Sequence, residues 1–247
     1  MLLIKNLSKQ FGALKAVDDI SFEVKDGEIF CIIGPNGAGK TTIIKTTVGL
    51  LAPDKGTITV GGKDVVLFPQ ATKSIIGYIP DDPSVWPGMT GEEFLHFVGT
   101  LFGVPEQERM ERVKKLLSIF ELEGIEKNYF ETYSRGNKQK FSILAALLHK
   151  PKLLLVDEPV VGLDPLSVRR AKDLFVRLAK DEGVSIFIAT HTLSFAQEVA
   201  DQVGVMDHGR MIARGTVDEL RAKAKLHNET TLEDIYLALT GNSFPSA

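Results

Sequence analysis

Nine consecutive residues carry the most pointed chemistry in the chain: Gly34, Pro35, Asn36, Gly37, Ala38, Gly39, Lys40, Thr41 and Thr42. They match G-x-x-x-x-G-K-[ST], the P-loop pattern. The stretch follows the apolar run "EIFCII" and opens the helix-permissive "IIKTTVGLL". Backbone N–H groups from Gly37 to Thr41 would then surround phosphate oxygens at a helix N-terminus. Lys40 would neutralise β- and γ-phosphates, and the Thr41 hydroxyl would bind Mg²⁺. Thr42 could reach the α-phosphate. The alternative is a Gly-rich turn with a surface lysine. A chance match in a chain of this length has odds on the order of one in a hundred.

A second element is "LLLVDEP". Asp157 ends a run that reads as a buried strand, where a carboxylate can hold Mg²⁺ or its water shell. Glu158 is adjacent and could act as general base on an attacking water. Alone, the Asp-Glu pair reads equally well as a helix cap or surface charge. The upstream P-loop favours the chemical reading.

These groups need a scaffold. The 247 residues suit one large domain, or a domain with a sub-domain. Hydrophobic residues at 44% and charged residues at 25% are ordinary for a globular protein. A formal net charge of -3 gives no basic footprint for nucleic acid. Cys31 is the single cysteine, so no intramolecular disulfide forms, as expected in a reducing compartment. It sits in the apolar run before the P-loop and reads as a buried structural thiol. No segment approaches the ~20 apolar residues of a spanning helix, and the N-terminus lacks a signal-peptide core. If the protein acts at a membrane, another chain is expected to cross it.

The first eighty residues read as short strands with Gly turns: "LLIKNL", "ISFEV", "EIFCII", "GTITVGG" and "IIGYIP". "ISFEV" and "GTITV" alternate as half-exposed antiparallel strands do. From Thr90 the texture is helical. Thr90 with Glu93 is a capping-box pattern, followed by Phe94, Leu95, Val98, Leu101 and Phe102 at helical spacing. A second helix starts at Pro105, with Met110, Val113, Leu116, Leu117 and Phe120 on one face. A third runs from about Asn137 to His149. "KLLLVDEP" and "VSIFIATH" then read as buried parallel strands, with "PLSVRRAKDLFVRLAKDEG" as the crossover helix. The tail from Thr216 is mostly helical and fades at "GNSFPSA".

One further stretch, "TYSRGNKQKFSILAALLHKPKLLLVDEP", resembles the signature segment of ATP-binding cassette (ABC) proteins. The usual form there is LSGGQ, placed shortly before the Asp-Glu strand. Here it reads Tyr133-Ser134-Arg135-Gly136-Asn137, then Lys138-Gln139-Lys140. Other family parts recur in order. Phe11 lies where the family places an aromatic that stacks on adenine. "VGLDP", with Asp164, matches the loop after the catalytic glutamate. His191 matches the switch histidine at the γ-phosphate, and "DHGRMIARGT" looks like the closing hairpin. The resemblance covers about residues 1–225.

It implies an α/β fold: a P-loop NTPase with a RecA-like core, an N-terminal antiparallel β sub-domain and an inserted helical sub-domain. The core would be about 1–84 and 150–225, the insert about 85–149, and 226–247 a helical tail. It also implies ATP and Mg²⁺ as cofactors, with Thr41, Asp157 and Asp81 at the metal. Lys40, Glu158 and His191 would be catalytic. Two cassettes would pack head-to-tail, so that Ser134, Arg135 and Gly136 complete a partner's nucleotide site and Asp164 lies at the dimer loop. Separate transmembrane permease subunits would be the other partners, with the chain peripheral at the cytoplasmic face. Without the family, Ser134 before a helix is already an anion site. A second such site makes sense if it closes over a nucleotide on another subunit. Phe11 as an ordinary aromatic, Asp164 as a helix start and His191 as a backbone-satisfied strand end are the plainer readings.

Two positions depart from the family pattern. Asp81 stands where a glutamine is usual, after "GYIP", and Arg135 replaces the first signature glycine. An acidic residue at the one and a basic residue at the other look similar to cassettes of the drug, antibiotic and polysaccharide exporter branch. Trp86, at the start of the helical block, suits a protein interface or a sub-domain core equally well. A soluble ABC ATPase on ribosomes or DNA usually carries two cassettes or long coiled-coil insertions, and this chain has neither. An unrelated P-loop kinase would not carry the ordered signature, Asp164 and His191. A cassette that binds ATP without turnover would be expected to lack Glu158 or His191, though Arg135 in the signature keeps that reading open.

Overall fold

The computed structural model of the chain describes residues 1–83, 86–227 and 230–241. The expected fade at "GNSFPSA" falls mostly outside those residues, and so does Ser84-Val85, where the expected core–insert boundary lies. Two sheets dominate. β1 (Leu2–Phe11) and β2 (Leu14–Val24) form a hairpin, and β2, which holds "ISFEV", is antiparallel as its alternation predicts. β3 (Ile29–Ile33) leaves for the second sheet and runs through the P-loop into α1 (Lys40–Thr47). β4 (Lys55–Val60) and β5 (Lys63–Asp64) return to the first sheet, whose order is β2-β1-β4-β5, all antiparallel. A short α2 (Pro69–Lys73) then leads to β6 (Ile76–Ile79), at one edge of the second sheet.

The helical segment follows: α3 (Gly91–Leu101), α4 (Glu106–Leu117) and α5 (Arg135–Leu147). The capping box is present, with the Thr90 hydroxyl accepting from Glu93 N and the Glu93 carboxylate accepting from Thr90 N. α5 starts two residues before the expected Asn137, because Ser134 Oγ accepts from Asn137 N and places the cap there. β7 (Leu153–Asp157), α6 (Pro165–Lys180) and β8 (Ser185–Thr190) form the expected strand–crossover–strand unit. After α7 (Leu193–Val199), β9 (Gln202–Asp207) and β10 (Arg210–Gly215) close the sheet, and α8 (Val217–Lys223) and α9 (Leu232–Thr240) finish the described chain. The second sheet runs β10-β9-β3-β8-β7-β6, parallel except for the β10 edge.

The parallel strands divide two cores by simple alternation. On β3, Phe30 and Ile32 face the antiparallel sheet, where they pack with Leu2, Ile4 and α1's Ile43. Ile29, Cys31 and Ile33 face the helices. β7 and β8 alternate in the same way. Phe22 of the first sheet stacks on Phe30 at 4.8 Å and meets Phe187 at 5.3 Å. Full burial of such rings contributes about 1.5–3 kcal/mol each. The helix-side core runs without interruption from β3 into Leu95, Phe130 and Phe141, so the helical segment is packed onto the sheet rather than hung from it. Cys31 is fully buried there, and burial pushes its thiol well above the usual range.

Two sequence stripes are only partly covered. On α3, Leu95 is buried, Phe94 and Val98 are half-buried, and Leu101 and Phe102 are exposed. On α4, Met110 is exposed while Val113 and Leu117 are buried. Phe120, expected on that helix, lies beyond its end but is buried. No helix among the described residues is long and apolar enough to cross a membrane.

Candidate active site

β3 ends at Ile33, and the P-loop turns tightly into α1. Gly39 adopts φ +101, and a Cβ there would lie 2.1 Å from the Ala16 carbonyl oxygen, so only glycine fits. Lys40 is 5% exposed and folds back on its own loop. Its ammonium donates to the Gly34 carbonyl at 2.7 Å and to the Pro35 carbonyl at 3.1 Å. Burial lowers its pKa, and the nearby Glu158 and Asp157 oppose that shift. Thr41 Oγ1 donates to Asp157 Oδ1 at 3.1 Å across the gap between α1 and β7. The Asp157 carboxyl is pushed up to about 6, chiefly by burial, while the Thr41 hydrogen bond pulls it down.

Glu158 is 7% exposed and sits at φ +50, a left-handed backbone that a glutamate rarely takes. Three donors hold its carboxylate: Thr190 Oγ1 at 2.9 Å, His191 N at 2.9 Å and His191 Nδ1 at 2.8 Å. Its Oε1 lies 4.0 Å from the Lys40 ammonium. With Nδ1 donating to the carboxylate, Nε2 is the nitrogen left as acceptor on a half-exposed ring. The end of β8 thus supplies both the support of Glu158 and the histidine. Thr190, which holds Glu158, is a site residue that sequence reasoning missed; "IATH" offers it only as the residue before His191.

A cleft of about 270 Å³ is lined by Phe11, Leu14, Asn36 to Thr42, Asp81 and Glu158. Phe11 is 47% exposed, with the Lys9 ammonium 5.6 Å from its ring centre. The fold therefore gathers Phe11, the P-loop, Asp81, Asp157, Glu158 and His191 in one place, although they span residues 11 to 191. Ser134 and Gly136 do not line that cleft. They lie at the start of α5, exposed and half-exposed, with Tyr133 buried beneath them against Phe130 and Phe141. Arg135 reaches Asp81 of its own chain, Nη2 to Oδ1 at 3.2 Å. Asp164 caps α6, accepting from Ser167 N at 2.9 Å and Ser167 Oγ at 2.6 Å, with Lys140 at 3.2 Å. Those donors hold its carboxyl far below the usual carboxylate range, the Ser167 hydroxyl most of all.

A second, apolar groove of about 380 Å³ opens between β6, α3 and the end of α5, lined by Leu50, Tyr78, Pro80, Phe94, Phe102 and His149 among others. The His149 ring stacks on Phe102 at 3.8 Å and lies 3.0 Å from the Ile76 carbonyl. Trp86 is 57% exposed with its ring edge-on to Phe97, so it does not plug a core.

A glycine-rich loop between a buried strand and a helix, with an acidic strand end and a supported glutamate beside it, defines a P-loop nucleoside triphosphatase. The family model described as ABC transporter matches residues 17–161, and the chain belongs to that family. It is 37% identical over 220 residues to the linearmycin resistance ATP-binding protein LnrL of Bacillus subtilis, covering 89% of this chain and 70% of that protein. It is 33% identical over 230 residues to the bacitracin transport ATP-binding protein BcrA of Enterococcus faecalis, covering 93% and 74%. A solved ATP-binding subunit of an ABC transporter superposes with a TM-score of 0.91 at 34% identity, covering 97% of this chain and 99% of that one. A dimeric ATP-binding cassette bound to ADP and Pi shares the fold, with a TM-score of 0.80 at 22% identity over 88% of this chain and 99% of that one. The protein is an ATP-binding and ATP-hydrolysing subunit of an ABC transporter.

Proposed function

We propose that this subunit powers export, and that its ATP site is completed by a second cassette. The observation that carries the reading is a division of labour. Lys40, Asp157, Glu158 and His191 converge at the P-loop cleft, while Ser134 and Gly136 present a helix N-terminus outside it. That second anion site has no phosphate to serve within its own chain, and head-to-tail pairing of two cassettes supplies one. Phe11 stacks on the adenine, Gly34 to Thr42 cradle the phosphates, and Lys40 leaves its loop carbonyls for the β- and γ-phosphates. Glu158 takes a proton from the attacking water, and His191 turns Nε2 to the γ-phosphate. Asp164 lies at the junction between the cassettes.

Thr41, Asp157 and Asp81 suit Mg²⁺. They are hard oxygen donors, and one or two carboxylates with substrate phosphates are its usual setting. Those three residues would hold Mg²⁺, which would supply charge neutralisation to the bound triphosphate. Catalysis then rests on positioning and charge stabilisation. Permease subunits and a second cassette are the partners. We assign the apolar groove at Phe94, Phe102 and His149 to the permease, with the chain peripheral at the cytoplasmic membrane face. Export follows from the Asp81 and Arg135 departures and from relatives named for antibiotic resistance and antibiotic transport. We take residues 1–225 as the cassette, with an insert of about 85–149.

The test is the solution mass of Glu158→Gln, with and without ATP. A nucleotide-dependent shift from monomer to dimer is the expected result. A protein that binds ATP and stays monomeric would refute a composite site built from two copies of this chain.

A further inference from the structure

Arg135 joins three segments. Its guanidinium meets Asp81, on the rim of the P-loop cleft. Its stem lies against Gly162, where an added Cβ would meet Arg135 Cγ at 3.2 Å. Gly162 belongs to the loop between Glu158 and Asp164. One residue on, Gly136 backs onto the Gly162 carbonyl so closely that a Cβ on Gly136 would sit 2.5 Å from its oxygen. Lys140, a turn further along α5, pairs with Asp164 on the same loop. The start of α5 is thus fixed to the loop after Glu158 by packing. Among the described residues, the head of Arg135 is held by one charge pair, whose side chains are 55% and 50% exposed.

An exposed ion pair of this kind biases an equilibrium by about two- to fivefold. A guanidinium on phosphate, through charge-assisted hydrogen bonds, is worth about ten- to a hundredfold. The weaker contact therefore yields to the stronger when both compete for Arg135. Within one chain Asp81 lines the cleft and Arg135 does not, so the pair holds the cation at the rim.

We propose that Asp81 and Arg135 form an exchangeable charge pair. Asp81 is the resting counter-ion of Arg135, and Arg135, once released, contacts the γ-phosphate of the nucleotide held by a second copy's P-loop. Asp81 turns to the nucleotide-bound cation in the same exchange. The two departures from the family pattern are then one device: neither the acid nor the base serves the resting chain except by neutralising the other. The inference rests on the composite-site reading above.

The experiment is a double-mutant cycle in the Glu158→Gln background, reading the dimer dissociation constant with ATP and Mg²⁺ by sedimentation velocity. The four proteins are the parent, Arg135→Gln, Asp81→Asn and the double variant. Arg135→Gln keeps the stem on Gly162 and the Ser134 cap, so it leaves the local fold in place. We expect Arg135→Gln to weaken the dimer at least about tenfold. Asp81→Asn should cost about two- to fivefold less with Arg135 present than with Arg135→Gln, a coupling that fades as salt is raised. An equal effect of Asp81→Asn in both backgrounds, or an unchanged dimer with Arg135→Gln, overturns the pair and leaves the composite site standing. A parent that does not dimerise with ATP removes the composite site and the pair together.

Discussion

Lys40 rests on the carbonyls of Gly34 and Pro35, so in this structure its charge is spent on the loop that phosphate would occupy. Lys40→Ala removes the cation that phosphate recruits, and the expected loss in ATP affinity is about ten- to a hundredfold by calorimetry; an unchanged constant would sink the P-loop assignment. Glu158→Gln should leave ATP affinity intact and lower the hydrolysis rate about a hundredfold or more, as expected for a general base; near-normal turnover would remove Glu158 from that role. The sequence made these residues legible because each stands in a short local motif. Thr190 was not legible, since a threonine at a strand end is ordinary until a buried carboxylate faces it. The Asp81–Arg135 pair was equally hidden: each departure could be read alone, but their meeting spans 54 positions and depends on the packing of α5 against the loop after Glu158.

At the scale of elements, caps were the most legible feature, because a cap is a contact between residues three apart. Thr90 with Glu93 forms as the sequence predicts, and Asp164 caps α6 through Ser167, as its plainer reading as a helix start allows. Asp164→Ala should cost about 1 kcal/mol in urea unfolding by loss of the α6 cap, and a cost near zero would make the cap incidental. Gly136→Ala should cost about 1–3 kcal/mol, or shift the loop at Gly162, because the close approach leaves no room for a methyl group. A fully tolerated alanine would show that the loop moves freely. The α3 stripe was legible as a stripe but not as a lining. Helical spacing reports which side is apolar, not what covers it, and here Phe94, Val98 and Phe102 line the open groove.

For the whole molecule, continuous apolar runs marked the buried parallel strands and alternation marked the half-exposed ones, so both sheets could be foreseen. Their strand order could not, because register between distant strands depends on crossovers rather than on any one segment. His149, at the seam of β6 and α5, is expected to give the fold a pH response. Burial lowers its pKa from 6.5, so the folded chain favours the neutral ring. A histidine with a depressed folded value costs nothing above the unfolded value. Stability should therefore fall as pH drops below 6.5, down to the lowered value. His149→Gln, which keeps a donor for the Ile76 carbonyl, should flatten that acid limb in thermal melts; identical slopes would place the response elsewhere. The sealed thiol of Cys31 has a practical corollary. With its sulfur walled inside the helix-side core and its pKa raised by burial, the native chain is expected to be silent toward thiol reagents. A cysteine introduced at any exposed position would carry a fluorophore or spin label alone, so distances between two cassettes can be tracked through a turnover cycle without first stripping the protein of its own sulfhydryl.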